Sequence, residues 1–476
     1  MRFTNTLSGE KETFEPMSLP VKMYVCGLTP KNDPHLGHAR LFVANDVIRR
    51  YLEYRGYPVN YVQNFTDIDD KTIAAAQREN LTPAEVAKQY MQGYFRDMDA
   101  LAVRRADTFT YVTEFIPQII TFIQGLIDGG HAYAQDDEDV TDRDVYYIAT
   151  SFPDYGKLSK RNLEAMLAGA RIEPDERKRD PRDFTLWKAT KPGEPWWESP
   201  WGKGRPGWHI ECSTMAMETL GEQIDIHGGG TDLIFPHHEN EIAQSEGLTN
   251  LAPFAKYWVH TGLLQLGDEK MAHSGTFVTI NSVLKTTPAP ALRLYLLAQS
   301  YRTQFVYLQE QVRATVTRWR RWVEARAATL KIAGETPPEE DEALVALRTE
   351  FVTYMDDDIN TAGGVAVIDA LVKRLNDIAS KATGDLGRER RARAQAGVAL
   401  LDELTGVLGI SLDVNLDVRT VLDDLIRQEI ELLVEARTEA RMNRNWKESD
   451  RIRKELEDRF SVVVKDDPKG STWTVR

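Results

Sequence analysis

The N-terminal part of the chain alternates between short apolar runs and a longer stretch with helical periodicity. Residues 21–27 are mostly apolar, as in a strand that is buried on both faces. Residues 38–56 carry apolar side chains every three or four positions, which predicts a helix that stops at Gly56. Residues 59–62 predict a second strand. Strand, helix and strand in succession predict a parallel βαβ unit.

The pattern changes between about residues 110 and 200. Helical periodicity is followed there by polar segments that contain proline and tryptophan, such as residues 191–197. The parallel-sheet pattern resumes at residues 224–227. We therefore interpret residues 110–200 as an insertion into an α/β domain.

The second half of the chain is predominantly helical. A Gly- and Pro-containing linker at residues 334–340 divides it. A long amphipathic helix begins near Val421, and the short apolar run 462–464 before a Pro/Gly turn predicts a small strand. The expected architecture has a Rossmann-type α/β domain, a helical bundle and a small α+β domain. Their predicted ranges are 1–290, 291–415 and 416–476.

Composition narrows the class of protein. A chain of 476 residues is too long for one core and fits about three domains. The N-terminus has no signal-like apolar run and no segment reaches membrane-spanning length, so we expect a cytoplasmic protein without membrane contact. A net charge of −14 argues against a general polyanion-binding surface but leaves room for local basic stripes that bind nucleic acid.

Two cysteines, Cys26 and Cys212, each lie beside glycine, histidine or aromatic residues. Further on, His237 and Glu241 are four positions apart, which places them on one face of a helix. Two thiolates, an imidazole and a carboxylate form a reasonable ligand set for Zn²⁺. The alternatives are that the cysteines are small apolar core residues and that the histidine-rich segment is a solvated helix start.

A second group of candidate residues follows the first predicted strand. His35 and His38 flank Gly37 at the predicted start of a helix. A helix N-terminus after a parallel strand is suited to phosphate, and imidazoles there can donate hydrogen bonds as charge develops on phosphorus. The alternative is a capped turn with surface histidines. Lys270 lies in a polar loop and suits a triphosphate, although most surface lysines do nothing specific.

In this order, the segments resemble class I aminoacyl-tRNA synthetases and, among them, the cysteinyl-tRNA synthetase family. The resemblance runs over essentially the whole length. It is carried by YVCG at 24–27, HLGH at 35–38, NFTDIDDK at 64–71, RPGWHIECS at 205–213, DIHGGGTDLIFPHHENEIAQS at 225–245, MDDDINT at 355–361 and DDPKGSTW at 466–473. It implies ATP-dependent activation of L-cysteine to cysteinyl-adenylate, transfer to tRNA(Cys), and an anticodon-binding domain over residues 416–476.

The resemblance also implies roles for individual residues. One Zn²⁺ per chain would be bound by Cys26, Cys212, His237 and Glu241. The amino-acid pocket would contain Gly27, Thr29, Thr66, Trp208 and His227. ATP, as a substrate with Mg²⁺, would be bound by Gly37, His227, Gly229, Asp232, Lys270 and His273. Catalysis at the triphosphate would involve His35, His38, Lys270 and His273. The anticodon would be read by Arg441, Trp446, Asp450 and Asp466.

The implied zinc gives a physical basis for selectivity. A substrate cysteine binds zinc as thiolate, whereas the hydroxyl of serine is a poor ligand that stays protonated. Replacing sulfur by oxygen then costs a metal bond, so discrimination does not depend on an editing site.

The sequence departs from the family pattern at residues 270–274, the loop that contains Lys270. The usual KMSKS is replaced by KMAHS, so His273 stands where the second lysine is expected. Histidine is shorter and mostly neutral at pH 7, which predicts slower activation that is stimulated by mild acidification. The loop after Thr29 also departs, and Lys31 there could restore the lost charge.

Two other functions remain open from the sequence. A cysteine ligase of the mycothiol pathway would share the catalytic half but has no use for an anticodon-type C-terminus. A synthetase paralogue that binds RNA without charging tRNA is the other. Trp446 lies among arginines in the C-terminal helix, where it suits base stacking or, alternatively, packs the small domain. We expect a monomer, because no long unpaired apolar stripe is visible.

Overall fold

The computed structural model describes residues 1–136, 141–161, 177–266, 278–380, 387–414, 416–460, 462–467 and 470–475. The strands of the N-terminal half are β1 (Arg2–Thr4), β2 (Lys11–Thr13), β3 (Val21–Leu28), β4 (Val59–Phe65), β5 (Thr108–Tyr111), β6 (Ala132–Ala134), β7 (Val145–Tyr147), β8 (Phe184–Ala189) and β9 (Gly204–Pro206). The later strands are β10 (Ile224–Gly230), β11 (Ala255–Thr261), β12 (Leu264–Leu266), β13 (Phe305–Tyr307), β14 (Val462–Asp467) and β15 (Gly470–Val475).

The helices fall into two groups. Those of the α/β part are α1 (Leu36–Tyr54), α2 (Asp70–Glu79), α3 (Pro83–Ala100), α4 (Ile116–Asp128), α5 (Trp208–Leu220), α6 (Glu239–Thr249) and α7 (Ile280–Leu284). Those of the helical part are α8 (Ala289–Leu297), α9 (Gln309–Ala333), α10 (Glu342–Asp356), α11 (Thr361–Ser380), α12 (Arg388–Val407), α13 (Leu416–Met442) and α14 (Trp446–Phe460). None of the helices in the described ranges is long and apolar enough to cross a membrane.

The central sheet has five parallel strands in the order β11-β10-β3-β4-β5. The predicted βαβ unit is confirmed, because α1 connects β3 to the parallel strand β4. Strand β3 pairs with β4 on one side and with β10 on the other, where His227 is opposite Tyr24. The strand order therefore reverses between β3 and β10, the place where α/β sheets bind ligands beyond the carboxyl ends of their strands.

Side chains of β3 alternate between two hydrophobic cores. Met23 and Val25 pack on the face that is covered by α1 and by much of the helical region. Tyr24 and Cys26 face the other core, together with residues of α4, α5 and the inserted sheet. The strand is buried on both faces, as its apolar sequence predicts.

The inserted part forms an antiparallel sheet in the order β6-β7-β8-β9. Its strands run from residue 132 to residue 206, whereas β5 at residues 108–111 still belongs to the central sheet. The predicted start of the insertion at about residue 110 thus coincides with a core strand. The division of the chain into three domains stays a prediction.

The helical half follows its predicted pattern with one addition. Residues 305–307 form β13, which pairs in parallel with β12 and was not predicted from the sequence. The linker at 334–340 separates α9 from α10. At the C-terminus, α13 and α14 pack on the hairpin of β14 and β15, so the predicted terminal strand is paired with a second one.

Candidate metal and nucleotide site

Four side chains from separate elements converge at the carboxyl ends of β3 and β10. Cys26 is near the end of β3, Cys212 is in α5, and His237 and Glu241 lie at the turn into α6 and in its first turn. One ligand atom from each lies within 4.8 Å of the others, and all four residues are buried. The two sulfurs are 3.7 Å apart, and His237 Nε2 is 3.1 Å from Glu241 Oε1. The predicted four-residue group is therefore brought together by the fold.

The spacing of this group fits a tetrahedral ion. Two thiolates that are each about 2.3 Å from a tetrahedral zinc lie roughly 3.8 Å apart, which is close to the observed separation of the Cys26 and Cys212 sulfurs. Shorter bonds to nitrogen and oxygen give edges of roughly 3.3 Å, close to that of His237 and Glu241. The donor set of two thiols, an imidazole and a carboxylate is also one that zinc favours.

Burial determines the protonation of these ligands. It raises the pKa of Cys26 well above the usual value, and the neighbouring Cys212 and Glu241 raise it further. It lowers the pKa of His237 well below the usual value, so this imidazole stays neutral and keeps a lone pair. Without a cation the thiols are protonated, and binding a metal ion must release their protons.

Further histidines lie next to the four candidate ligands. His237 Nδ1 is 3.0 Å from Nδ1 of His209, and burial lowers the pKa of His209 to about 3. A neutral His209 can accept a hydrogen bond from the Nδ1–H of His237, which directs Nε2 of His237 toward the ligand group. His238 Nε2 lies 3.4 Å from Cys26 Sγ, and its Nδ1 is 2.8 Å from His260 Nε2.

The sequence did not single out His209, His238 or His260. The available signal was density, because five of the nine histidines fall between residues 209 and 260. A second set of converging ligand atoms, from Cys26, His227, His238 and Glu241, also lies within 4.8 Å. We favour the first set, because it uses both thiols and has the supporting contact of His209.

The predicted amino-acid pocket borders the candidate metal-ligand group, which consists of Cys26, Cys212, His237 and Glu241. The Gly27 N–H donates to Asn64 Oδ1 at 2.7 Å, and a Cβ at Gly27 would overlap the Asn64 carbonyl oxygen. Thr66 Oγ1 donates to Glu211 Oε2 at 3.1 Å, and burial raises the pKa of Glu211 well above the usual value. Because of the overlap at position 27, only glycine permits the close approach of β3 and β4 there.

The open side of the pocket contains Trp208. Its ring stacks on His237 with centroids 4.5 Å apart, it is 38% exposed, and Lys71 Nζ lies 5.5 Å from it. Thr29 is half-buried in the loop after β3, and its carbonyl accepts a bond from the Lys31 N–H at 3.0 Å. Trp208 is therefore in contact with a candidate ligand and partly accessible to solvent.

Two of the residues predicted to bind the nucleotide, His227 and Gly229, lie in β10. Residues 228–230 continue this strand and do not form a turn. His227 is fully buried and stacks on Trp258 at 4.4 Å, and its Nε2 is 2.8 Å from Glu241 Oε2. A Cβ at Gly229 would overlap the His238 ring. Asp232 is exposed in the turn after the strand.

His35 and His38 cap helix α1. His35 Nδ1 accepts bonds from the N–H groups of Gly37 and His38, His38 Nδ1 accepts one from the His35 N–H, and the rings stack at 3.7 Å. Burial and then the charge of Lys31 lower the pKa of His35 to about 4. Burial, His35 and Lys31 lower that of His38 to about 3. The capped-turn geometry is thus present, and both imidazoles are neutral at pH 7.

Two predicted residues, Lys270 and His273, lie outside the described residues. Three of the tRNA candidates, Arg441, Trp446 and Asp450, are on the C-terminal helices. Trp446 is 56% exposed and the Arg441 guanidinium lies 5.7 Å from its ring, so the alternative that Trp446 packs the small domain is wrong. Asp450 pairs with Arg453 at 3.1 Å. Asp466 is in β14, and its side chain is outside the described part.

Comparisons with known proteins identify the family of this chain. Residues 13–317 match the family described as "tRNA synthetases class I (C) catalytic domain", and residues 350–413 match the "DALR domain". The chain is 46% identical to a cysteine–tRNA ligase of Dehalococcoides mccartyi, over 100% of both chains. It is also 46% identical to the cysteine–tRNA ligase of Symbiobacterium thermophilum, over 99% of each.

The fold also has a relative among solved structures. A Mycobacterium tuberculosis methionyl-tRNA synthetase in complex with methionyl-adenylate superimposes with a TM-score of 0.60 at 16% identity, covering 85% of this chain and 93% of that one. This likeness concerns the fold alone. With a class I catalytic domain, a DALR domain and full-length relatives at about 45% identity, the chain belongs to the cysteine–tRNA ligase family of class I aminoacyl-tRNA synthetases.

Proposed function

We propose that this enzyme activates L-cysteine with ATP and transfers it to tRNA(Cys), and that a single Zn²⁺ held by Cys26, Cys212, His237 and Glu241 selects the amino acid. The observation that carries the proposal is the convergence of these four ligand atoms at the switch point between β3 and β10. Bound there, zinc would take up the substrate sulfur as thiolate and disfavour the hydroxyl of serine.

The side chains around the ligand group position the substrate. His227 Nδ1 is buried and has no hydrogen-bond partner among the described residues, so it is available to a polar group of the bound amino acid. Trp208 covers His237 and can cover the substrate in the same way. Thr66, which donates a hydrogen bond to Glu211, is proposed as a further contact of the amino acid. Such preformed contacts reduce the entropy that the reaction must lose.

The triphosphate of ATP binds at the start of α1 in this proposal. Because His35 and His38 use Nδ1 for capping, the N–H of a neutral imidazole is at Nε2 and can donate to an oxygen of the triphosphate. Lys31 is close enough for its charge to lower the pKa of both rings, which supports a place beside the phosphates. Lys270 and His273 complete this assignment as a proposal from the sequence, with ATP bound as its Mg²⁺ complex.

The chemistry needs no covalent nucleophile from the protein. A carboxylate oxygen of cysteine attacks the α-phosphorus, the bond to the bridging oxygen breaks, and pyrophosphate leaves with that electron pair. A ribose hydroxyl of the tRNA terminus then attacks the carbonyl of the mixed anhydride and releases AMP. The protein contributes positioning and charge stabilisation.

The exposed Trp446, with Arg441 beside it, is proposed to stack on a base of tRNA(Cys). Asp450 and Asp466 are proposed as further anticodon contacts. We also propose that the enzyme acts as a monomer in the cytoplasm. The comparisons do not support the mycothiol-pathway ligase or a paralogue that binds RNA without charging it.

One set of assays tests this function. We expect about one equivalent of zinc per chain, pyrophosphate exchange with cysteine but not serine, and transfer of labelled cysteine to tRNA(Cys). Exchange without transfer to tRNA would favour a small-molecule ligase. RNA binding without exchange would favour a non-catalytic paralogue. Absence of zinc, or equal activation of serine, would contradict the metal-based selectivity.

A further inference from the structure

The second turn of α1 contains a fully buried arginine, Arg40, which is 1% exposed. Its guanidinium donates hydrogen bonds to backbone carbonyl groups that belong to two separate segments. The bonds are Nε to Gly262 O at 3.1 Å, Nη1 to Leu296 O at 3.3 Å, and Nη2 to Ser300 O at 2.9 Å, Tyr301 O at 3.5 Å and Thr303 O at 2.7 Å. The Phe305 ring lies 4.7 Å from the guanidinium carbon.

This environment differs from that of a second buried arginine on the same side of the sheet. Arg293 pairs with the carboxylate of Asp46 and donates to the carbonyls of Leu101 and Leu408. Arg40 has no carboxylate partner within the described ranges, and burial lowers its pKa to about 10, so it remains charged at pH 7. A buried cation is costly unless it is well hydrogen-bonded, so these carbonyls are held in place by the charge that they surround.

The carbonyls bound by Arg40 lie at a specific junction. Gly262 follows β11 directly and precedes β12, while Thr303 precedes β13, the parallel partner of β12. The Gly262 N–H also donates to the Tyr301 carbonyl at 2.8 Å. A Cβ at Gly262 would overlap the Arg302 and Thr303 carbonyl oxygens, so glycine is required for this approach. Arg40 therefore ties the β12–β13 pair to α1.

Strand β12 ends at Leu266, four residues before Lys270. On the far side of the lysine-containing segment, the Ile280 N–H donates to the Pro34 carbonyl at 3.0 Å and the Leu36 N–H donates to the Val278 carbonyl at 3.1 Å. Arg40 thus joins the backbone before that segment to α1, and the backbone after it is hydrogen-bonded to Pro34 and Leu36, on either side of the N-cap residue His35.

We propose that Arg40 is a positioning residue for the nucleotide step. It fixes the position of the start of β12 relative to His35 and His38, the histidines proposed to bind the triphosphate. Arg40 contacts neither the metal-ligand group nor the amino-acid pocket. Its removal therefore changes ATP use much more than cysteine use. This inference rests on the proposed ATP-dependent activation.

The test compares three variants of the full-length protein. Arg40→Lys keeps the charge but cannot reach both segments, Gly262→Ala disturbs the same junction from the opposite side, and Arg293→Lys is a control at a buried arginine that does not contact the junction. Cysteine-dependent pyrophosphate exchange gives kcat and both KM values, and calorimetry with a non-hydrolysable ATP analogue gives nucleotide affinity without catalysis.

For Arg40→Lys and Gly262→Ala we expect kcat/KM for ATP to fall roughly tenfold to a hundredfold, since a small displacement of a positioned group has this effect. KM for cysteine and zinc content should stay within about twofold. Arg293→Lys should keep nucleotide affinity within about twofold even if it melts earlier.

Unchanged ATP parameters in Arg40→Lys, or an equal loss of ATP affinity in Arg293→Lys, would overturn the proposal. If the wild-type protein shows no exchange, the proposed function fails separately, and the affinities for the ATP analogue still decide the role of Arg40.

Discussion

The buried candidate metal-ligand group and the exposed C-terminal helices are two candidate sites with very different construction. In the first, four side chains from separate elements place their ligand atoms within 4.8 Å of one another, and each is almost fully buried. In the second, Trp446 is more than half exposed and the surrounding charges pair within the same helices, such as Asp450 with Arg453.

This difference determines how much each residue can contribute. A buried polar group that loses a partner suffers the full desolvation penalty, because water cannot replace the lost contact. An exposed pair is solvated with or without its partner and contributes little by itself. Energetic effects should therefore be large and concentrated at the metal-ligand group, and modest and distributed at the C-terminal surface.

The largest effect is expected from Cys212→Ser. Loss of one thiolate should release the metal and reduce cysteine-dependent pyrophosphate exchange on the order of a thousandfold. Metal analysis and exchange kinetics measure this. Thr214→Ala is the matched control, because Thr214 is buried in the same helix and its hydroxyl donates only to the Ile210 carbonyl. Full zinc content in Cys212→Ser would contradict the large effect expected at the buried group. It would favour the alternative ligand set that contains His238.

The next effect concerns His273, which is proposed from the sequence to contact the triphosphate. His273→Lys should raise the exchange rate by up to about a hundredfold at pH 8, because a permanent cation replaces a mostly neutral imidazole. The wild-type rate should increase as pH falls from about 8 to 6, and this dependence should vanish in the variant.

Neither His35 nor His38 contributes in that range, because their pKa values of about 4 and about 3 keep them neutral. Since both values lie below the unfolded-state pKa, the stability that the two histidines provide is present above about pH 6.5. It is lost as the pH falls to about 4 for His35 and about 3 for His38. An unchanged pH profile in His273→Lys would remove this residue from the mechanism.

A smaller effect is expected from His209→Phe. Without an acceptor for its Nδ1 proton, His237 should bind the metal roughly tenfold to a hundredfold more weakly. Competition with a zinc chelator measures the affinity. His131→Phe is a control, because His131 is outside the cluster and bonds to Ser151. Equal zinc affinity in the two variants would mean that the supporting contact has no energetic role.

The smallest effect is expected from Trp446→Ala. Loss of one stacking surface should weaken tRNA(Cys) charging by roughly tenfold, while cysteine-dependent exchange stays unchanged. Aminoacylation and exchange assays on the same preparation separate the two steps. Trp196→Ala is a control at another exposed tryptophan, in the segment before β9. A loss of exchange in Trp446→Ala would show that the two regions are coupled rather than independent.

The sequence by itself determined the local features of this protein. The apolar run of β3, the periodicity of α1 and the return to an apolar strand at β4 specified a parallel βαβ unit, because each depends on neighbouring residues. The spacing of His237 and Glu241 likewise placed both on one side of a helical turn.

Only the tertiary structure decided which of these features meet. The reversal of strand order between β3 and β10 brings Cys26 to Cys212, and no local pattern encodes that contact. The same holds for the bond of Arg40 to the Gly262 carbonyl, 222 residues away. Such contacts form because buried polar groups must find partners wherever packing places them, and that depends on the whole chain rather than on any segment.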